Sequence, residues 1–304
     1  DLLFYNGTGG FTQDGREYII DLPPGRHTPA PWVNVIANPR LGAVVSESGS
    51  AYTWYGNAQL GRLTPWSNDS VGDPSGEVLY IRDETSGRFF TPTPWPRTGD
   101  TAYVCRHGFG YSIFEHREDG LETELTTYVA VGAPVKFLVL KIRNLGERSR
   151  SLSVLASVDW VLGDLRSRQA MHVVTELDPL TGAILARNSY HGGFSDAVAF
   201  FDCSETTRSV SGDRAEILGR NGDPANPAAL RLRQLSGRLG PGLDPCAAMQ
   251  VPVDLAAGAE REIVFILGAG NSTAEAIALV QSHRGVGAAR VALEEVWQFW
   301  NDNL

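Results

Sequence analysis

Apolar and polar residues alternate with a period of two along much of the chain, a pattern typical of half-buried β-strands. In the run from Leu121 to Val131, leucine, threonine or valine occupies every odd position, whereas positions 122 and 124 are glutamates. Residues 151–160 repeat the alternation, and Lys136 to Arg143 between them is more continuously apolar. Because residues 144–146 have a composition typical of a turn, we predict that these strands are adjacent and antiparallel.

Short turns recur between the predicted strands. The chain contains 33 Gly and 17 Pro, so we expect long helices to be rare. Turns or hairpin tips are predicted at residues 6–10, 13–15, 178–182 and 237–242. Many short strands joined by tight turns indicate an all-β fold, a large antiparallel sandwich.

Helical patterning appears only near the carboxyl end. Ser272-Thr-Ala-Glu275 is a capping box that opens a helix towards His283, and two glycines at 285 and 287 interrupt it. A second helix is predicted from about Ala288. Its amphipathic face consists of Val291, Leu293, Val296, Trp297 and Trp300. Such a face needs a partner, either the sandwich itself or a further domain.

Composition narrows the functional class. The net charge of −9 argues against a nucleic-acid or anionic-membrane partner, because phosphate binding needs a basic surface. Cys105, Cys203 and Cys246 are far apart and fit neither a disulfide framework nor a zinc site. We therefore predict three buried thiols in a reducing compartment and no metal. No apolar run resembles a membrane span or a signal peptide, and a start at Asp1 suggests an excised segment.

The residues from Ala51 to Asp69 combine aromatic rings with planar polar groups. Trp54, Tyr55 and Trp66 can stack on the apolar faces of pyranose rings. The donors and acceptors that sugar hydroxyls require are Asn57, Gln59, Arg62, Asn68 and Asp69. From composition alone, an aromatic cluster beneath a loop, with Asn-Asp as ordinary turn chemistry, explains the segment at least as well.

Three other patterns suggest chemistry. His107 and Glu115 could form an acid/base pair of the kind that opens sugar rings, provided that both face the same side of a sheet. Glu122 and Glu124 share a strand face, which either glycoside chemistry or simple solvation explains. The segment 268–273 imitates a dinucleotide-binding turn, but it lacks the third glycine and a following parallel strand, and we reject it.

Several long, irregular strings resemble the glycoside hydrolase family 94 module of cyclic β-1,2-glucan synthases and, more distantly, cellobiose and chitobiose phosphorylases. The resemblance covers nearly the whole chain. It is carried by residues 6–11, 14–18, 28–40, 52–54, 63–69, 107–111, 218–222 and 242–246.

The resemblance implies a galactose-mutarotase-like β-supersandwich over residues 1–270 and a helical linker over residues 271–304. The linker would lead to an (α/α)6 catalytic barrel that is missing here, so we assign no catalytic residue. By similarity, loops of the sandwich help to wall the sugar site of the barrel, in some members across a dimer. The substrate-binding candidates are Trp54, Arg62, Trp66, Asn68 and Asp69.

The resulting hypothesis is a non-catalytic N-terminal sandwich domain of a β-glucan-processing glycosyltransferase or phosphorylase, inactive when isolated. Its expected partners are a β-glucan oligosaccharide, the catalytic barrel of the same polypeptide and a second copy in a homodimer. We expect no cofactor, with inorganic phosphate as a co-substrate of the full-length enzyme, and a cytoplasmic location or the cytoplasmic portion of an inner-membrane protein. The alternatives are a stand-alone carbohydrate-binding module for β-glucan and a mutarotase-like epimerase that uses His107 and Glu115.

Overall fold

The computed structural model describes residues 2–192 and 194–304, which form eighteen strands and four α-helices. The strands are β1 (Gly9–Phe11), β2 (Glu17–Leu22), β3 (Val33–Ala37), β4 (Leu41–Ser46), β5 (Ala51–Tyr55), β6 (Glu77–Asp83), β7 (Phe89–Phe90), β8 (Tyr103–Gly108), β9 (Tyr111–Glu118), β10 (Leu121–Val129), β11 (Val135–Asn144), β12 (Arg150–Asp159), β13 (Val174–Leu177), β14 (Ile184–Arg187), β15 (Val198–Cys203), β16 (Ser209–Asp213), β17 (Pro245–Leu255) and β18 (Glu260–Gly270). The helices are α1 (Arg166–Gln169), α2 (Arg214–Leu218), α3 (Thr273–His283) and α4 (Val286–Asn303).

The described strands form three sheets, and every pairing between them is antiparallel. The largest sheet has ten strands in the order β1-β2-β8-β9-β10-β11-β18-β15-β14-β13. A second sheet has the order β16-β17-β12-β6-β7, and a third has the order β3-β4-β5. The predicted all-β antiparallel architecture with helices near the carboxyl end is therefore confirmed.

The buried apolar residues fall into three layers. The main core lies between the inner face of the ten-stranded sheet and the two smaller sheets. A second layer lies on the outer face of the ten-stranded sheet beneath α3 and α4, and a third lies beneath residues 214–235 on the five-stranded sheet. Leu138 and Leu140 of β11 belong to the main core, whereas Val135 and Phe137 belong to the second layer. Burial on both faces explains why β11 is nearly continuously apolar.

The predicted pairing of the strands at 136–143 and 151–160 is wrong. β11 lies between β10 and β18, whereas β12 lies between β6 and β17 in the other sheet. The connection between them crosses from sheet to sheet instead of closing a hairpin. Buried Asn144 fixes this crossing, because its amide donates to the carbonyls of residues 148, 255 and 256 at 2.7, 3.2 and 3.1 Å. Residue 256 begins the neighbouring connection from β17 to β18, so one side chain holds both crossings together.

A buried ion pair joins all three sheets. Lys136 of β11 donates to Glu77 of β6 at 2.6 Å, and both side chains are almost inaccessible to solvent. Thr53 of β5 accepts from Lys136 at 3.3 Å and donates to Glu77 at 2.6 Å. Thr64 donates to the same carboxylate at 2.7 Å and accepts the N–H of Thr53 at 2.7 Å. The two charges are therefore paired and hydrogen-bonded, as burial requires.

The capping box predicted at the start of α3 is present in altered form. The Ser272 hydroxyl accepts the N–H of Glu275 at 3.2 Å, as expected. The Glu275 carboxylate, however, accepts the N–H of Asn271 at 2.7 Å rather than that of Ser272. Its other oxygen pairs with Arg40 at 2.7 Å. One carboxylate therefore caps the helix and also attaches it to Arg40, directly before the start of β4.

α4 begins at residue 286, slightly before the predicted start, and packs on the ten-stranded sheet. Its buried residues are Ala289, Ala292 and Val296. Leu293 and Trp300 of the predicted amphipathic face pack on the same layer, whereas Val291 and Trp297 are 55% and 44% exposed. The alanines allow the helix backbone to approach the sheet closely enough for the Tyr128 hydroxyl to donate to the Ala289 carbonyl. Trp300 packs beside the same sheet, over Gly110, where a Cβ atom would lie 2.4 Å from the indole nitrogen. The predicted domain boundary at residue 270 remains a prediction.

Two further features bear on the expected environment. Cys105, Cys203 and Cys246 are free and buried, as predicted. Burial raises the pKa of the Cys203 thiol to about 11 and the pKa values of the other two thiols well above their usual range. None of the helices in the described ranges combines the length and the apolar character needed to cross a bilayer.

Replacing Lys136 with methionine should lower the free energy of unfolding by about 3–5 kcal/mol, because Glu77 would keep a buried charge without a counter-ion. The matched control is Lys141→Met on the same strand, since the exposed Lys141–Glu124 pair at 3.4 Å should contribute less than about 1 kcal/mol. Urea unfolding at pH 7 measures both values. Equal losses in the two variants would contradict a special role for the buried pair.

Candidate functional site

Three aromatic rings lie in a row on one face of the three-stranded sheet. Tyr52 stacks on Trp66 with a centroid separation of 4.8 Å and lies 5.3 Å from Trp54. Thr53 points into the core towards Lys136, so strand alternation places Tyr52 and Trp54 on the opposite face. We call Trp54, Tyr52 and Trp66 the aromatic row. Tyr52 is buried, whereas both tryptophans are half-buried and keep exposed area.

The position of Trp54 depends on a glycine. Gly42 of β4 is the cross-strand partner of Trp54, and a Cβ atom at Gly42 would lie 2.2 Å from the indole ring. The ring therefore covers the β4 backbone directly, which a side chain at position 42 would prevent. One face of the Trp54 indole therefore packs on the β4 backbone, and one face of the Trp66 indole stacks on Tyr52.

Tyr55 does not belong to the aromatic row, contrary to the predicted surface. It follows Trp54 on the strand and so faces the other way. Its hydroxyl accepts from Arg40 at 2.8 Å and donates to Asn271 at 2.8 Å. Tyr55 thus links the end of β5 to the start of α3.

Arg62 holds two loops together beside the aromatic row. Its guanidinium donates to the carbonyls of Asp164 at 3.0 Å, Ala58 at 3.3 Å and Trp66 at 3.4 Å. Its backbone pairs with Gly163, with N···O distances of 3.0 and 3.2 Å. The loop that carries Trp66 is therefore fixed to the segment that follows β12. This structural role accompanies the sugar contact predicted for Arg62, which remains a prediction.

Asn68 and Asp69 are exposed and follow Trp66 on the same loop. Asn68 adopts a left-handed conformation with φ of 50°, which asparagine tolerates well. The Asp69 carboxylate accepts the N–H of Val71 at 3.0 Å, and the backbone hydrogen bonds from Val71 and Gly72 hold the pKa of Asp69 below its usual value. The turn expected by the alternative interpretation is present, and both side chains stay accessible beside the aromatic row. The exposed Asn57 similarly accepts two backbone N–H groups in a neighbouring turn, and Gln59 lies exposed within that turn.

Sequence reasoning did not identify the polar groups that support these loops from behind. Gln169 donates to Asp164 at 2.8 Å, which is the main cause that lowers the pKa of Asp164 to about 2. Buried Asn188 donates to Gln169 at 2.9 Å and to the carbonyl of Leu162 at 2.9 Å. These residues come from two connections distant in sequence, so no local motif could have revealed them.

The loops at this end of the sandwich also expose apolar side chains. These are Leu60, Leu165, Met171 and Tyr190. Met171 is 77% exposed and Tyr190 is 76% exposed, although the Tyr190 ring stacks on His172 at 4.0 Å. We call these four residues the loop-end apolar set. Exposed apolar residues on neighbouring loops favour an interaction surface.

His107 and Glu115 lie on opposite faces of the ten-stranded sheet, so the acid/base pair considered above is not formed. The register pairs His107 with Ser112 and Val104 with Glu115, which sends His107 inward and Glu115 outward. His107 Nε2 donates to the Trp32 carbonyl at 3.1 Å, and Nδ1 accepts from the Ser112 hydroxyl at 2.8 Å. Burial lowers the pKa of His107 to about 4, so the ring is neutral at pH 7.

The outward carboxylates are used in surface ion pairs. Glu115 pairs with Arg106 at 2.9 Å, Glu122 pairs with Arg117, and Glu124 pairs with Lys141. Solvation of a strand face therefore explains Glu122 and Glu124. Among residues 2–192 and 194–304, no group of three or more His, Cys, Asp or Glu side chains is arranged to hold a metal ion.

A ten-stranded antiparallel sheet stacked on smaller sheets, with helices on its outer face, defines a β-supersandwich domain. The chain belongs to the family "Glycosyl hydrolase 94, supersandwich domain", whose sequence profile matches residues 16–286. The predicted family is therefore confirmed.

Sequence identity to individual proteins supports the same family. The chain is 37% identical to the cyclic beta-(1,2)-glucan synthase NdvB of Rhizobium meliloti (strain 1021), covering 99% of this chain and 11% of that protein. It is 26% identical to the N,N'-diacetylchitobiose phosphorylase of Vibrio proteolyticus, covering 95% of this chain and 37% of that protein. The chain thus spans well under half the length of these relatives.

One solved structure supports the fold, and a second is reported as a weaker match. A structure described as a provisional kojibiose phosphorylase from human microbiome matches with a TM-score of 0.50 at 7% identity, covering 94% of this chain and 37% of that chain. A galactose mutarotase related enzyme from Lactobacillus acidophilus also matches, with a TM-score of 0.44 at 8% identity, covering 80% of this chain and 99% of that chain.

The buried neutral state of His107 predicts a loss of stability in acid. The pKa of His107 is about 4 in the folded protein and about 6.5 when unfolded, so the unfolded chain binds more protons between these values. Stability should fall as the pH is lowered from about 6.5 to about 4, by up to about 3 kcal/mol from this group. His107→Gln should flatten that part of the pH profile measured by urea unfolding, whereas the exposed-site control His27→Gln should not. An unchanged profile in His107→Gln would contradict the assignment.

Proposed function

We propose that this chain is a non-catalytic supersandwich domain of a β-glucan-processing glycosyltransferase or phosphorylase of the cyclic β-1,2-glucan synthase type. The end of the sandwich that carries the aromatic row and the Arg62 loops, which we call the loop end, would form part of the wall of a sugar site. The bond-breaking groups of that site would belong to an (α/α)6 barrel of the same polypeptide. The proposal rests on family membership together with relatives that are named as a glucan synthase and a phosphorylase and are much longer than this chain.

The observation that carries the proposal is the combination found around Arg62. A guanidinium fixed by three carbonyls holds the Trp66 loop against the segment after β12, which keeps Trp66, Asn68 and Asp69 in a stable arrangement. Rigid aromatic and planar polar groups suit recognition of sugar rings, because little conformational entropy is lost on binding. Trp54, Arg62, Trp66, Asn68 and Asp69 are accordingly the proposed substrate-binding residues.

The loop-end apolar set supports docking of a second domain at the same place. Met171 and Tyr190 are each more than three-quarters exposed, and such side chains on adjacent loops gain free energy when another surface covers them. We propose that the barrel covers this set and thereby brings the aromatic row to the edge of the sugar site. In a homodimer, a second copy of the chain could cover the loop-end apolar set in the same way.

The remaining parts of the proposal concern the whole enzyme. Inorganic phosphate would be its co-substrate, and the domain itself would need no cofactor. Three free, buried thiols fit the reducing conditions of the cytoplasm, where we place this domain. A β-glucan oligosaccharide would be the bound ligand, consistent with the acidic net charge of the chain.

In the longer polypeptide that contains the barrel, Trp66→Ala should raise KM for β-1,2-gluco-oligosaccharides about tenfold and change kcat less than about twofold. A stacking contact of about 1.4 kcal/mol corresponds to that factor, and it acts on binding rather than on the chemical step. Steady-state release of glucose 1-phosphate measures both constants. Trp297→Ala, a half-exposed tryptophan on α4, is the matched control and should leave KM unchanged.

The 304-residue chain alone should release no glucose 1-phosphate from oligoglucan and phosphate. Turnover by the chain alone would refute a non-catalytic role. Micromolar binding by the chain alone that is lost in Trp66→Ala would instead support the stand-alone carbohydrate-binding module.

A further inference from the structure

A cavity of about 320 Å³ lies at the end of the three-stranded sheet away from Tyr55. Its walls come from residues 27–31, the turn between β4 and β5, residues 70–73, and residues 94–98. The volume falls at the lower end of the roughly 300–1,000 Å³ typical of small-molecule sites. None of the five proposed substrate-binding residues lines it. The loop that leaves Trp66 and Asp69 does reach it, through Asp73.

Two carboxylates are fixed in the wall of this cavity. Glu47 is buried, accepts the N–H of Trp32 at 2.7 Å and bonds to the Thr28 hydroxyl. Asp73 accepts the hydroxyls of Ser46 and Ser48, each at 2.6 Å, through its Oδ2 atom. Within the described part of the chain Asp73 Oδ1 accepts no hydrogen bond, which leaves one acceptor for a ligand.

Trp95 supplies an aromatic wall. It is half-buried and is flanked by Pro94 and Pro96, which line the same cavity. Its backbone is fixed on both sides, because its N–H donates to the Ser48 carbonyl at 2.8 Å and its carbonyl accepts the Thr93 hydroxyl at 2.9 Å. The backbone of Trp95 and the carboxylate of Asp73 are therefore both held by Ser48, the first through the Ser48 carbonyl and the second through its hydroxyl.

The charges of the residues that line the cavity indicate which class of ligand it can bind. Of the described residues that line the cavity, Glu47 and Asp73 are acidic, His27 is a histidine, and none is lysine or arginine. Burial raises the pKa of Glu47, and the nearby Asp73 charge adds to this effect. An anion would be repelled here, whereas a neutral polyol can donate hydroxyl hydrogens to carboxylate oxygens.

We propose that this cavity, the Trp95 cavity, binds a neutral hexose unit of a glucan, with the ring of Trp95 against the sugar face and Asp73 Oδ1 as an acceptor of a sugar hydroxyl. The choice of glucan as the ligand rests on the proposed function, whereas the recognition of a neutral sugar rests on the cavity itself. The Trp95 cavity is a second subsite, separate from the aromatic row.

The test is titration of the 304-residue chain with sophorose, the β-1,2-linked glucose disaccharide, followed by calorimetry and by the indole N–H signals of 15N-labelled tryptophan. The Trp95 signal, identified by its loss in Trp95→Phe, should shift on titration. Asp73→Asn should weaken binding at least tenfold, because an amide replaces a charge-assisted hydrogen bond. Glucuronate, an anionic sugar, should bind at least tenfold more weakly than sophorose.

Two variants separate this inference from the proposed function. Trp66→Ala should leave the Trp95 shift intact, and Trp297→Ala should leave both affinity and shift intact. Sophorose binding that is unaffected by Asp73→Asn and Trp95→Phe would overturn the Trp95 cavity. That result would not bear on the proposed function, which is tested by the effect of Trp66→Ala on KM in the longer polypeptide. If the Trp95 signal shifts on titration but Trp66→Ala leaves the KM of the longer polypeptide unchanged, the Trp95 cavity stands and the proposed function of the aromatic row fails. Trp95→Phe keeps an aromatic ring, so an intact thermal transition in that variant shows that lost binding is not lost folding.

Discussion

The buried pair of Lys136 and Glu77 is the constraint on which the arrangement of this domain depends. It is the point where the ten-stranded, five-stranded and three-stranded sheets meet, and each contributes one polar group to it. Apolar packing between sheets is non-directional and would tolerate sliding, whereas two buried charges are satisfied in only one register. We infer that the pair specifies how the small sheet sits on the large one.

The same network determines where the candidate site lies. Thr64, on the loop that carries Trp66, donates to Glu77. Thr53 also donates to Glu77 and lies between Tyr52 and Trp54 on β5. With Thr53 directed inward, Tyr52 and Trp54 must face outward, where they meet Trp66. The aromatic row and the core ion pair are therefore opposite sides of one short strand. Loss of the inner contact would disturb the outer surface as well.

The outer face of the ten-stranded sheet is closed by α3 and α4, and this has a consequence for the carboxyl end. The alanine stripe of α4 brings it close to the sheet, and Glu275 attaches α3 to Arg40. Because Tyr55 also bonds to Asn271, the connection from β18 into the helices is tied to the same end of the sandwich as the Arg62 loops. A domain that follows the helices in a longer protein would therefore be connected to a body whose loop end is already rigid.

The sequence by itself determined the strand-rich class, the positions of most strands and turns, both carboxyl-terminal helices and the family, because these follow from local periodicity and from long motif strings. Only the tertiary structure decided which strands are neighbours. The chain crosses between sheets after β11. The hydrogen bonds of Asn144 and the burial of β11 on both faces stabilise this crossing, and the local turn does not predict it. It also decided which predicted side chains act together: Trp54 and Trp66 meet through Tyr52, whereas Tyr55 and the His107–Glu115 pair are divided by strand alternation and register. Periodicity gives the face of a residue within its own strand, but partners on other strands depend on packing between distant segments, which no local pattern contains.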